Sequence, residues 1–345
     1  MKRLTIDTKN NCYVIDSNGM NYLQQTVASS LTLEKGTFDI QIVSGSYGYA
    51  NSTADGEPFV LMWIYGVDGA TFINKNTGVE TGATWTTLNG YKDKLKLEVK
   101  QKAVVCALFF DTNNNDNKGA VTLSVTDSQK SSRTLTVDSK KNCYVLDEGY
   151  LSSLRQPDSN YQELEPGNYQ VKILESNATY WSGSEEQKFK LEPWALMLVK
   201  GGKFISKLTG IEVERSWCSL NGLKDEVVIE VKEKTGLTGL FFDSYKEDNE
   251  GAITLEITSL SQSEINQKYQ ELEPPPKEPE TKEPTAKEPA AKEPPAAKEP
   301  ATIDKQPEDT GEIPKEMQVR FVISLWLFLL FLILFYYLFK STGLF

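Results

Sequence analysis

Thr37-Phe-Asp-Ile-Gln-Ile-Val43 carries an apolar side chain at every second position, and Asn168-Tyr-Gln-Val-Lys-Ile-Leu174 repeats the pattern in the second half of the chain. A period of two is the signature of a strand with one buried face. The same alternation runs through Lys94-Leu-Lys-Leu-Glu-Val-Lys100, Glu226-Val-Val-Ile-Glu-Val-Lys232, Ala120-Val-Thr-Leu-Ser-Val125 and Ala252-Ile-Thr-Leu-Glu-Ile257. Two continuous apolar runs, Phe59-Val-Leu-Met-Trp-Ile-Tyr65 and Trp194-Ala-Leu-Met-Leu-Val199, read as strands covered on both sides. Turn signals such as Leu88-Asn-Gly90 and Leu220-Asn-Gly222 separate them. Close-spaced turns and no convincing amphipathic helix predict an all-β chain of antiparallel two-sheet sandwiches.

Nearly every one of these segments occurs twice. Leu4-Thr-Ile-Asp-Thr-Lys-Asn-Asn-Cys-Tyr-Val-Ile-Asp16 returns as Leu135-Thr-Val-Asp-Ser-Lys-Lys-Asn-Cys-Tyr-Val-Leu-Asp147, and Leu108-Phe-Phe-Asp111 as Leu240-Phe-Phe-Asp243. The shift is nearly constant from end to end, so the chain holds two copies of one domain, residues 1–128 and 132–260. Each copy is in the size range of an independent domain, roughly 100–150 residues. The shared aromatics Trp85 and Trp217, Phe72 and Phe204, and Tyr13 and Tyr144 are most economically core or inter-sheet residues.

A net charge of -11 lacks the basic footprint of a nucleic-acid partner. The 345 residues contain no histidine, which removes the commonest neutral-pH general base and the commonest zinc ligand. Any metal here would be hard and oxygen-ligated. Of the four cysteines, Cys12 and Cys143 occupy equivalent repeat positions, whereas Cys106 and Cys218 align with Thr238 and Thr86. That asymmetry favours reduced, buried thiols over a disulfide in each copy.

Beyond the second copy, Lys-Glu-Pro triplets recur through a low-complexity stretch, so residues 261–318 read as a disordered, extended spacer, with a short helix expected over 261–272. Residues 321–339 carry no charge, and about 20 apolar residues cross the ~30 Å hydrocarbon layer. A transmembrane helix over 319–340 with a short tail, 341–345, is expected. The topology this implies is a tail anchor, single-pass, with both domains facing the cytoplasm. The glycosylation sequons at Asn51 and Asn177 are then chance matches.

One polar loop is kept in both copies: Phe110-Asp-Thr-Asn-Asn-Asn-Asp-Asn-Lys-Gly119 and Phe242-Asp-Ser-Tyr-Lys-Glu-Asp-Asn-Glu-Gly251. Asp111, Asp116 and Asn117, and likewise Asp243, Asp248 and Asn249, gather carboxylate and amide oxygens on one short segment. Ca²⁺ takes six to eight such oxygens in flexible geometry. Asp, Asn and Gly are equally the residues of an ordinary hairpin turn that caps its own backbone. The residue types leave both readings open.

The first copy resembles the calcium-dependent galactose-binding bacterial lectins of the PA-IL type, which are jelly-roll sandwiches. The resemblance runs through Lys35-Gly-Thr-Phe-Asp-Ile-Gln-Ile-Val43, Ser46-Tyr-Gly48, Leu61-Met-Trp-Ile-Tyr-Gly66, and Phe110-Asp111 leading to Asp116-Asn-Lys-Gly119. It implies a jelly-roll-like fold in each copy. It also implies Ca²⁺ held by the Tyr47 carbonyl with Asp111, Asp116 and Asn117, the metal and these residues gripping a sugar that Asn115 also touches. In the second copy it nominates Asp243, Asp248 and Asn249. Two departures stand out: the loop pairs Asp with Asn where the family pairs Asn with Asn, and the second copy has Ala178-Thr-Tyr180 in place of Ser-Tyr-Gly.

The expected function is therefore a membrane-tethered tandem binding module, lectin-like, taking carbohydrate with the help of Ca²⁺. The alternative is a tail-anchored scaffold for a protein partner with at most structural calcium. Catalysis is not expected, because Asp111 and Asp116 share one loop instead of facing each other across a cleft.

Overall fold

The computed structural model describes residues 1–48, 56–180 and 192–270. The spacer from residue 271 and the apolar stretch 321–339 lie outside them. No helix among the described residues is long and apolar enough to cross a membrane.

Strands dominate, as the alternation predicts. The first repeat contributes β1 (Lys2–Asp7), β2 (Cys12–Val14), β3 (Ser29–Gly45), β4 (Phe59–Gly66), β5 (Phe72–Asn74), β6 (Val79–Thr81), β7 (Ala83–Asn89), β8 (Lys94–Asp111) and β9 (Ala120–Asp127). The second contributes β10 (Ser132–Asp138), β11 (Cys143–Val145), β12 (Tyr161–Leu164), β13 (Gly167–Ser176), β14 (Trp194–Ser206), β15 (Glu212–Asn221), β16 (Glu226–Val231), β17 (Thr235–Asp243) and β18 (Ala252–Leu260). Three short α-helices accompany them among the described residues: α1 (Ser17–Tyr22), α2 (Glu148–Ser153) and α3 (Gln262–Gln270). Asp16 and Asp147 cap α1 and α2 by accepting from the backbone N–H of Gly19 and Tyr150.

In the first repeat, β3 and β8 form one long antiparallel ribbon whose register shifts between Glu34 and Gly36. On one side of the shift β9 joins β3, and on the other β4 joins β8, which gives the two faces of a sandwich. The second repeat makes the same break openly. Glu165-Pro166 separates β12 from β13, and residues 232–234 separate β16 from β17. Proline cannot donate to a ladder, so the ribbon must stop there.

The two sandwiches exchange strands. β1 pairs antiparallel with β18, Leu4 opposite Leu255, and β2 runs parallel to β17. Reciprocally, β10 pairs with β9, Leu135 opposite Leu123, and β11 runs parallel to β8. The opening segment of each repeat thus completes the other repeat's sandwich. Leu4, Ile6, Leu135 and Val137 are buried by this exchange.

An approximate two-fold relation joins the copies. Phe110 and Phe242 stack at 5.0 Å, and Trp217 meets both of them edge-on at 5.9 Å. Trp85 lies 5.3 Å from Phe110. Below them the hydrogen bonds are reciprocal. Thr87 N–H donates to Ser219 Oγ and Ser219 N–H to Thr87 Oγ1, each at 2.9 Å. Asn89 donates to the Trp217 carbonyl and Asn221 to that of Trp85. Ser216 donates to Glu57 and Thr84 to Glu192. A self-complementary patch of this kind is how two-fold interfaces are built. The paired tryptophans therefore seal the junction between repeats.

Candidate functional site

Both polar loops sit where a strand of one repeat meets the exchanged segment of the other. Asn117 Nδ2 donates to the Ser139 carbonyl and Asn249 Nδ2 to that of Thr8, each at 3.0 Å. The repeated motif beginning at Leu4 and Leu135 thus buttresses the partner repeat's loop. Gly119 and Gly251 close the loops at φ +86 and +80, where a Cβ would strike the Ser46 or Asn177 carbonyl at 2.3–2.4 Å.

In the first repeat the oxygens of Asp111 and Asn117 are used up. Asp111 is buried, and its Oδ1 accepts from Arg215 Nη1 at 3.0 Å and from Thr112 N–H at 2.7 Å. Its Oδ2 accepts from the Tyr47 hydroxyl at 2.9 Å, which also lies 3.3 Å from Asn117 Oδ1. The Tyr47 carbonyl accepts from Glu57 N–H. Asn115 is exposed and bonds back to Asn113. Of this set, only Asp116 Oδ1 is buried without a partner among the described residues.

The second repeat differs at Asp243 and Asn249, while Asp248 Oδ1 shares the unpartnered state of Asp116 Oδ1. Asp243 Oδ2, Asp248 Oδ1 and Asn249 Oδ1 are all buried without a hydrogen-bond partner among the described residues. Asp243 Oδ1 accepts a local bond from Ser244 N–H. Burial pushes the Asp243 carboxyl up to about 6, and the charge of nearby Asp248 adds to the rise. Ala83 occupies the place of Arg215, so no guanidinium arrives from that position. The Gly48–Lys118 bridge is matched by Thr179–Glu250, which sets Ala178 at the backbone position of Tyr47. The hydroxyl that serves Asp111 therefore has no counterpart. Tyr180, two residues on, places its ring 5.1 Å from Phe241 but donates its hydroxyl to the Glu192 carbonyl.

Among the described residues, no three His, Cys, Asp or Glu side chains converge on a metal position. A hard cation at the second loop would be held by two carboxylates, Asp243 and Asp248, together with the Asn249 amide oxygen. These orphaned acceptors suit such an ion, whereas the Asp111 set, already satisfied by a guanidinium, does not. All four cysteines are free and buried. Burial raises the Cys12 and Cys143 thiols, with Asp243 adding to the first and Asp111 to the second, so neither is poised as a thiolate ligand.

Arg215, Ala83, Thr8, Ser139 and Ala178 were outside the set nominated by sequence. The signal for them existed only as pairs of unlike residues at equivalent positions, Arg215 against Ala83 foremost.

No family model matches the sequence, and no curated protein does. Among solved structures, the lectin of Pleurotus ostreatus in its apo form overlaps 76% of this chain and 84% of its own, at 9% identity and a TM-score of 0.16. The same lectin in complex with GalNAc overlaps 75% and 81%, at 10% identity and 0.16. Vicilin from Corylus avellana overlaps 70% and 83%, at 6% identity and 0.12. At TM-scores this low the likeness fixes neither a fold nor a ligand.

Proposed function

We propose that this protein is a membrane-tethered binding module whose second repeat takes Ca²⁺ and, with it, a hydroxyl-rich carbohydrate. The observation that carries the proposal is the trio of buried, unpartnered oxygens, Asp243 Oδ2, Asp248 Oδ1 and Asn249 Oδ1. Each costs free energy until something donates to it or coordinates it. Ca²⁺ satisfies acceptors only, keeps open positions for ligand oxygens, and prefers this donor type. The tether is the uncharged stretch 321–339. Asp243 and Asp248 lie on one loop, an arrangement suited to holding an ion and not to acid–base work across a cleft.

Calorimetric titration of the full chain with Ca²⁺ tests this. One site per chain is expected, lost in Asp243→Ala and kept in Asp111→Ala. Absence of a heat of binding at millimolar Ca²⁺ rejects the cation. Equal loss in both variants rejects the assignment to the second repeat.

A further inference from the structure

We infer that the second loop site is composite, with Trp63 of the first repeat and Asp243 of the second jointly receiving one ligand hydroxyl; this rests on the proposal that the site takes a hydroxyl-rich ligand. Trp63 Nε1 is buried and lacks a hydrogen-bond partner among the described residues, as does Asp243 Oδ2. Both residues line the same crevice, about 30 Å³ in volume, together with Trp85, Ser244, Ile15 and Met20. A volume of that size admits a small polar group.

The chemistry of the two orphans selects what enters. An indole N–H donates and never accepts, whereas a carboxylate accepts and never donates. A hydroxyl does both, so one hydroxyl completes both residues at once. The surrounding rings, with Trp63 and Trp85 4.9 Å apart, offer an apolar wall to the carbon bearing it.

The first repeat lacks this arrangement. Trp63 lies opposite Trp85 in its ladder and Leu198 lies opposite Trp217, so Leu198 is the counterpart of Trp63 and brings no donor. Arg215 already engages Asp111 there. The tryptophan thus coincides, at one of the two loops, with a carboxylate that keeps a lone pair for a hydroxyl beside the cation.

The test uses the full chain in a detergent without a sugar headgroup, saturated with Ca²⁺ and titrated with the methyl glycosides of galactose, glucose, mannose and fucose. Trp63→Phe keeps an aromatic ring and removes the N–H. It is expected to bind Ca²⁺ like the wild type and to lose about three- to tenfold in affinity for the glycoside that binds, the worth of one hydrogen bond. The wild-type Trp63 indole N–H resonance is expected to shift with that glycoside, a readout that needs no altered protein. Unchanged affinity in Trp63→Phe with an unmoved resonance overturns the inference. So does binding of Ca²⁺ without any glycoside, which would leave the crevice to a water molecule. Failure to bind Ca²⁺ at all would instead remove the proposed function beneath it.

Discussion

The loops 110–119 and 242–251 share two aspartates and an asparagine, yet the first aspartate is paired in one and left open in the other. Asp111 holds a guanidinium, a tyrosine hydroxyl and a backbone N–H. Asp243 takes a backbone N–H at Oδ1 and leaves Oδ2 without a partner among the described residues. What separates them lies outside the loops: Arg215 against Ala83, and Tyr47 against Ala178. Duplication followed by change in the supporting residues gives one copy that is structural and another that keeps its acceptors. A shared motif therefore does not make a shared site, because the state of a buried carboxylate is set by what faces it.

The largest expected effect comes from breaking the closed loop. Arg215→Ala would leave Asp111 buried and unpaired, at a cost of about 3 kcal/mol in urea unfolding, near the low end for such pairs because Arg215 is partly exposed. Ala83→Arg is the converse change. It is expected to leave stability unchanged or raised and to abolish Ca²⁺ binding, since it supplies Asp243 with the cation that Asp111 already has.

Ca²⁺ at a hundredfold excess over Kd should stabilise the protein by ~2.7 kcal/mol. The rise in Tm is expected to survive Asp111→Ala and to vanish in Asp243→Ala. Tyr47→Phe removes the hydroxyl shared by Asp111 and Asn117, with an expected loss of about 1.5 kcal/mol, the worth of a bond to a charged group. It should leave the Ca²⁺ response intact.

A further effect is a drift with pH in calcium-free buffer. The Asp243 carboxyl is raised from 3.8 to about 6 in the fold, so its contribution to stability is complete below 3.8 and is lost as pH rises through about 6. Glu57, raised from 4.5 to about 7 by burial, and Asp225, raised from 3.8 to about 7 by burial, act in the same sense. Asp243→Asn is expected to flatten the lower part of that drift.

Much of the architecture was legible in the chain. Alternation over residues 37–43 and 168–174 predicted β3 and β13, and the repeated turn Leu88-Asn-Gly90 predicted the end of β7, because a strand's buried face is written locally at every second residue. The strand exchange was not legible. Nothing local distinguishes β1 closing on its own repeat from β1 closing on β18, since both burials use Leu4 and Ile6. The paired tryptophans likewise read as ordinary core until the copies are placed together.

Residue types along the chain were enough to establish duplication, the all-β class and the pair of oxygen-rich loops, because each is a matter of periodicity or local composition. Only the folded protein decided which loop keeps unsatisfied acceptors. Hydrogen-bond and ionic satisfaction depend on groups far apart in sequence, Arg215 beside Asp111 and Trp63 beside Asp243, and the exchanged strands are what bring those groups within reach.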